Sequence, residues 1–259
     1  MIAQVLALKR RLQARWEAQH AFAADLVPPV FIYQMGKVGS STVYPAVTEA
    51  QPGVPVYHVH FLSRHLAEHR LSHERSGMRP VPYHIYLGEA LRQQLLRYPY
   101  KPVKIISLVR DPVAFELSNL FQNPRLVGGG DQLARLVEES EKLRRKLEQR
   151  LASPEGHGYL ESWFGREICS VFGIDVFAKT FAGERGWQRY RQGDAALLLI
   201  RLEDLTAQGP AVIADFLGVP APLALPPVND RANQAFGAEY RRLADVLQLD
   251  SAVLKMVYG

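Results

Sequence analysis

The sequence predicts an α/β domain: a three-layer, mostly parallel sheet with helices on both faces and one helical insertion. Three observations predict it. Short apolar runs alternate with segments of helical periodicity along the 259 residues, an order that builds a parallel sheet through helical crossovers. The run Phe31-Ile-Tyr leads through a turn with two glycines into Ser40-Ser-Thr42, hydroxyl residues placed to open a helix. A second buried-type strand, Lys104-Ile-Ile-Ser-Leu-Val-Arg110, is followed at once by Asp111-Pro112 and a helical pattern.

Each element follows in order. Residues 2 to about 24, within an N-terminal segment 1–26, read as a basic amphipathic helix with Ile2, Val5, Leu6, Leu8, Leu12 and Trp16 as its apolar positions. It is expected to pack on the domain or a partner subunit; contact with an anionic membrane surface is the second option, and an oligomer is allowed. Pro28-Pro29 ends it. Val43 to Ala50 continues as a helix, with Pro45 tolerable in the first turn. Val54 to Phe61 alternates as a strand, Arg64 to His73 reads as a helix or turn, and Arg75 to Pro82 as a basic loop. Leu87 to Tyr98 is a helix before the Arg110 strand, and Val113 to Phe121 the helix after it. Gln122 to Gly130 is a joint ending in three glycines. Asp131 to Leu151 is a long charged helix with Leu133, Leu136, Val137, Leu143 and Leu147 on a narrow stripe, expected as a solvated lid or oligomer helix; it anchors a helical insertion at 123–160. Ile174 to Phe177 reads as a strand and Gly183 to Gly186 as a turn. Leu197 opens another strand, Thr206 to Leu217 a helix, and Pro220 to Pro227 leads to a C-terminal helix. Nothing supports a second independent core, so 1–259 is one domain.

Composition constrains function loosely. Hydrophobic residues make up 47 % and the formal charge is +5, a balance that suits an anionic ligand and equally a basic surface with no particular partner. The single cysteine, Cys169, excludes an internal disulfide. No apolar run is long enough to span a bilayer, and no signal-peptide pattern is seen, so a cytoplasmic location is expected. No nucleic-acid-binding pattern and no metal-ligand cluster stand out.

The Phe31–Thr42 turn reads as a phosphate cradle. Backbone N–H groups at a helix start carry partial positive charge. Gly36 and Gly39 let the backbone approach an anion, Lys37 adds a full charge, and Ser40, Ser41 and Thr42 add hydroxyls. The nucleoside-triphosphate loop G-x-x-x-x-G-K-[ST] places lysine directly after the last glycine. Here Lys37 precedes Gly39, so an ordinary ATPase loop is disfavoured, and alone the turn could bind nothing. Arg110, at the end of its strand, adds a second anion grip, with Ser118 eight residues on. Ligands of open α/β sheets lie outside the carboxyl ends of strands.

Together the Lys37–Thr42 loop, Arg110-Asp-Pro112 and Ser118 resemble the two donor-binding motifs of sulfotransferases, which use 3′-phosphoadenosine 5′-phosphosulfate (PAPS). Leu197-Leu-Leu-Ile-Arg-Leu-Glu-Asp-Leu205 resembles that superfamily's late strand and acidic turn. Ser162-Trp-Phe-Gly-Arg-Glu-Ile168 with Phe172-Gly-Ile-Asp-Val176 is similar to bacterial capsular polysaccharide synthesis proteins, a sulfotransferase-like group. The resemblance implies a P-loop-like sulfotransferase fold, PAPS as co-substrate without a metal, and a saccharide or other small hydroxylated acceptor. It implies donor contacts from Lys37, Val38, Gly39, Ser40, Ser41 and Thr42, and a 3′-phosphate held by Arg110 and Ser118. The late basic motif of many family members is unclear; Arg231 is a weak substitute.

Sulfuryl transfer asks for positioning and for charge stabilisation on the departing oxygen. Lys37 is placed to supply the latter. A base for the acceptor hydroxyl is sought in Val56-Tyr-His-Val-His-Phe61, where His58 and His60 share a strand face and His60 is nearer the crevice. The lysine-threonine-histidine triplet of cytosolic small-molecule sulfotransferases is absent, which leaves the base open, and either histidine also suits plain packing. Glu203 and Asp204 could orient a basic residue or substrate; Asp204 is expected to cap the next helix. Trp163 and Phe164 fit a core better than a sugar platform. An ATP-dependent kinase using the same cradle and a non-catalytic module of polysaccharide assembly are the alternatives.

Overall fold

Among the described residues of the computed structural model, four of the five strands run parallel, in the order β2-β1-β3-β5-β4. The structure describes residues 2–22, 27–75, 81–123, 126, 128–130, 135, 139–153, 156–226 and 249–258. The strands are β1 (Val30–Tyr33), β2 (Val56–Val59), β3 (Val103–Val109), β4 (Trp187–Gln192) and β5 (Ala195–Arg201). The helices are α1 (Ile2–Ala21), α2 (Ser40–Ala50), α3 (Leu66–Arg75), α4 (Tyr83–Arg97), α5 (Pro112–Gln122), α6 (Ser140–Leu151), α7 (His157–Phe164), α8 (Leu205–Leu217) and α9 (Ser251–Tyr258). Helix α7 runs on through a π-helical turn at Gly165–Cys169.

All four residues of β1 are buried. Successive strand side chains point to opposite faces, so both faces of this strand are covered, as in parallel sheets generally. Strand β1 sits between β2 and β3, with Ile32 opposite both His58 and Ile106. The chain leaves β1 for one side, returns, and enters β3 on the other. The reversal point of the sheet therefore lies between the ends of β1 and β3, where ligands of such folds bind.

Three expectations are corrected. Residues Ile174–Phe177 form no strand; they make irregular turns after a left-handed Gly173. The strand lies later, in β4, which pairs antiparallel with β5 through the turn Gly193-Asp194. The charged helix is no solvated lid. Leu143, Leu147 and Leu151 of α6 are fully buried with Leu117 and Leu120 of α5, and Val253 and Val257 of α9 pack against them. The Arg150 Nε–Glu116 Oε2 bond, 2.6 Å long and made to a fully buried carboxylate, ties α6 to α5. The stripe residues Leu133, Leu136 and Val137 lie outside the described residues. Finally, α1 packs on the domain, but through alanines. Ala14 and Ala18 are fully buried, while Val5, Leu6, Leu8, Leu12 and Trp16 stay 41–62 % exposed; the Ile2 side chain lies outside the described residues.

Candidate active site

The loop after β1 reverses direction through two left-handed residues. Gly39 caps α2 at φ 85°, and Lys37 holds φ 70° as the only described non-glycine with positive φ. Such a conformation costs a side-chain-bearing residue about 1–2 kcal/mol, so the packing around it must impose it. At the neighbouring Gly39 an added Cβ would lie 2.6 Å from Leu202 Cδ1, so the cradle closes onto the turn after β5. Beside Gly36 a Cβ would meet nothing within 4 Å, which leaves open space over the loop.

Helix α2 has no acidic residue in its first turn and no side-chain cap. Its N–H groups therefore face the loop without a competing carboxylate, the arrangement that receives an anion. The Thr42 N–H donates to Gly39 O at 3.0 Å and the Thr42 side chain is 2 % exposed. Val38 is fully buried, so only its backbone can face a ligand. The side chains of Ser40 and Ser41 lie outside the described residues, as does Arg231.

Arg110 stands just beyond β3, and its Nη1 donates to the Lys37 carbonyl at 3.3 Å. The two sequence motifs thus meet at the reversal point. Asp111 caps α5 by accepting from Ala114 N at 2.8 Å, accepts also from the Tyr258 hydroxyl, and donates its own N–H to Glu203 Oε1 at 3.1 Å. Asp204 stands just before α8, at the capping position, but its side chain makes no capping bond. Its carboxylate instead accepts from Arg201 Nε, since a guanidinium three residues back offers a stronger, charge-assisted bond. Beyond Arg110 opens a cavity of about 660 Å³ lined by Asp111, Phe164, Phe177, Arg201 and Tyr258 among others. Ser118 lies within α5 at 1 % exposure, so it shares no open surface with the half-buried Arg110.

On the other side of the cradle lie three histidines that sequence reasoning found only in part. The His60 ring centroid is 4.7 Å from that of His58 and 5.3 Å from that of His84. His84 was not foreseen; it comes from α4, which approaches because Gly88 lets its backbone sit against the Phe61 carbonyl, where a Cβ would be only 2.5 Å away. His60 Nδ1 lies 2.8 Å from the Gln34 carbonyl. A carbonyl only accepts, so Nδ1 carries the proton and Nε2 keeps its lone pair. Burial lowers the His60 pKa, the Gln34 bond opposes that, and the Lys37 charge lowers it further. His58 and His84 fall to about 4, chiefly by burial and then by the neighbouring His60.

Two further residues were missed. Gln34 is fully buried, and neither its amide oxygen nor its nitrogen finds a hydrogen-bond partner among the described residues. A buried group left so costs about 1–3 kcal/mol, and a ligand's polar atoms would relieve it. Glu167, in the π-helical turn, is 2 % exposed. It accepts from Leu62 N and Ser63 N at 2.9 Å, from Ser63 Oγ at 2.7 Å and from the Tyr33 hydroxyl. This fixes the turn after His60 to both α7 and β1. A carboxylate next to Arg166 in the otherwise apolar run Trp163–Cys169 was the available signal. Trp163 and Phe164 are core residues, 2 % and 5 % exposed. Among the described residues no group of three or more histidines, cysteines or carboxylates is arranged to hold a metal.

The C-terminal part of the chain matches a known family. Residues 152–258 fit the profile of "NKWYS: Putative capsular polysaccharide synthesis protein". This stretch carries Glu167, the β4–β5 hairpin and Arg201; the cradle, His60 and Arg110 precede it. Among solved structures, the chain is similar to a crystal structure of a sulfotransferase from Alicyclobacillus acidocaldarius, at 17 % identity over 88 % of this chain and 99 % of that one, with a TM-score of 0.35. A search of curated proteins gives no match.

Proposed function

We propose that the chain is a sulfotransferase that moves a sulfuryl group from PAPS to a hydroxyl of a saccharide or similar metabolite. The observation that carries this reading is the meeting of the two anion grips, with Arg110 Nη1 on the Lys37 carbonyl at the point where the sheet reverses. A nucleotide bearing phosphates at both ends of its ribose needs two such grips; a triphosphate needs one. The open space above Gly36 gives the donor room, and the orphaned Gln34 amide becomes a polar partner only if donor entry exposes it.

In this reading the α2 N–H groups and Lys37 hold the 5′-phosphate, and Arg110 holds the 3′-phosphate. Ser118 contributes only if its hydroxyl becomes accessible. The acceptor oxygen forms a bond to sulfur as the bond from sulfur to the bridging phosphate oxygen breaks. The acceptor proton goes to His60 Nε2, the nitrogen that the Gln34 carbonyl leaves unprotonated. Lys37 neutralises the charge on the departing oxygen, which leaves as adenosine 3′,5′-bisphosphate. The family description of residues 152–258 supports a saccharide acceptor, and a soluble nucleotide donor supports a cytoplasmic site of action.

Calorimetry with adenosine 3′,5′-bisphosphate and with ATP tests the reading. Tight binding of the bisphosphate, unaffected by magnesium, supports it. Tighter, magnesium-dependent ATP binding would replace it with a kinase. Bisphosphate binding without any labelled product from isotopically labelled PAPS and a cell extract would leave a non-catalytic module.

A further inference from the structure

Helix α1 is held to the domain on one side and left bare on another. Its Ala14 and Ala18 are buried, Arg10 Nη1 donates to Val81 O at 2.8 Å, and Tyr57 donates its hydroxyl to Glu17 O at 2.7 Å. At intervals of three and four residues, Val5, Leu8, Leu12 and Trp16 form a separate stripe, 57–62 % exposed. An isolated exposed leucine needs no explanation, but four large apolar residues in line on one helix do. By helical geometry Lys9 borders this stripe on one side, and Arg11 and Arg15 border it on the other.

Those two arginines also line a cavity of about 410 Å³ with Arg64, Arg70 and Arg92, where among the described residues Glu89 is the one acidic lining residue. Glu89 is already paired with Arg70 at 3.3 Å. An apolar stripe therefore runs along the rim of a strongly cationic hollow.

We propose that α1 and this cavity form a docking surface for an anionic lipid bilayer, with the stripe entering the headgroup–acyl boundary and a headgroup phosphate seated among the arginines. The charge pattern selects this occupant. Two copies of the chain meeting stripe to stripe would bring Lys9, Arg11 and Arg15 against their like, which is destabilising. A soluble acidic glycan would satisfy the arginines but leave the leucines and Trp16 in water. An anionic membrane surface satisfies both halves. The surface lies outside the candidate active site, so this inference stands apart from the sulfotransferase reading. It would hold such an enzyme beside substrates displayed at a membrane.

The test is co-sedimentation of the full chain with vesicles of phosphatidylcholine alone or mixed equally with phosphatidylglycerol. Binding at least about tenfold stronger to the anionic vesicles is expected, weakening with salt. Trp16 fluorescence shifts to the blue on binding, and Trp16→Phe abolishes that shift while still sedimenting. Leu8→Glu with Leu12→Glu, and separately Arg15→Glu with Arg64→Glu, each lower anionic-vesicle binding at least about tenfold. These positions are solvent-facing, and unchanged circular-dichroism melting shows that the fold is kept. Inorganic phosphate in millimolar excess leaves vesicle binding intact. Equal binding to both vesicle types, or none to either, overturns the proposal. So does a concentration-dependent dimer that Leu12→Glu dissolves, which would make the stripe an interface between copies.

Discussion

The Arg110 guanidinium donates to the main-chain carbonyl of Lys37 across 3.3 Å, joining two loops 73 residues apart in the chain. The contact holds Lys37 in its left-handed conformation at φ 70° and so fixes where the lysine side chain leaves the cradle.

Replacement of Lys37 by glycine separates backbone from charge. Glycine adopts the same φ without strain, which offsets its larger unfolded-state entropy to within about 1 kcal/mol. Lys37→Gly is therefore expected to melt close to wild type. In the proposed reaction it lowers turnover by ~10²–10³ through loss of the ammonium. Lys37→Ala lowers turnover equally but is the less stable of the two. Wild-type transfer by either variant removes Lys37 from the mechanism.

Gln34→Met keeps the shape of the side chain and deletes its unsatisfied amide. The substitution is expected to raise unfolding stability by about 1 kcal/mol or more while weakening binding of adenosine 3′,5′-bisphosphate. Urea unfolding and calorimetry read the two effects separately. A fall in stability would mean that the amide already has a partner.

Glu167→Ala strands Ser63 N, the Ser63 hydroxyl and the Tyr33 hydroxyl in the interior and leaves Leu62 N only its 3.3 Å bond to the Tyr33 oxygen. A loss of about 3 kcal/mol or more is expected in urea unfolding, since each buried donor left alone costs about 1–3 kcal/mol. Burial, and then the Glu167 charge, hold the Tyr33 phenol well above its ordinary pKa, so Tyr33 stays protonated and donates throughout the working range. A change below about 0.5 kcal/mol, the size of an ordinary surface substitution, would show that the cluster carries no stability.

The histidines give a defined pH dependence. In the unfolded chain they take up protons near pH 6.5, but folded His58 and His84 do so only near 4. Between those values the unfolded chain binds more protons, so the contribution of these two histidines to stability falls as pH drops from about 6.5 towards 4 and levels off below. His84→Gln flattens that slope, as urea midpoints across the range will report. In the proposed reaction the rate falls on the acid side as His60 gains its proton, below pH 6.5 because its pKa is lowered. His60→Gln removes that limb; a variant with the full wild-type profile would place the base elsewhere.

Much of the central sheet was legible because β1, β3 and β5 are largely buried on both faces and read as mostly apolar runs, broken only by Lys104 and Ser107 in β3 and ended by Arg201 in β5. The edge strand was not. Trp187-Gln-Arg-Tyr-Arg-Gln192 has only one covered side and reads as polar, although Gly193-Asp194 between it and the next strand is a hairpin signal. Helix α6 was misjudged because a narrow leucine stripe looks the same whether it meets solvent, a partner or α5. At the candidate site, the cradle and Arg110 were visible as local motifs. His84 and Glu167 were not, because their roles arise from tertiary packing: α4 carries no motif, and the Ser162–Ile168 motif does not show what its carboxylate meets. Gln34 was visible as a letter but not as a problem: that its amide is buried without a partner is a property of the fold.

The widened turn at Gly165–Cys169 has a consequence for chain length. A single-residue deletion there would restore ordinary helical winding and remove the bulge that presents Glu167. Glu167 would then be drawn off the Leu62–Ser63 hinge, although the flanking helical segments kept nearly the same direction. The spacing through this stretch is thus as constrained as the identity of its side chains, and indels should be tolerated far better in the Gly128–Gly130 joint than here.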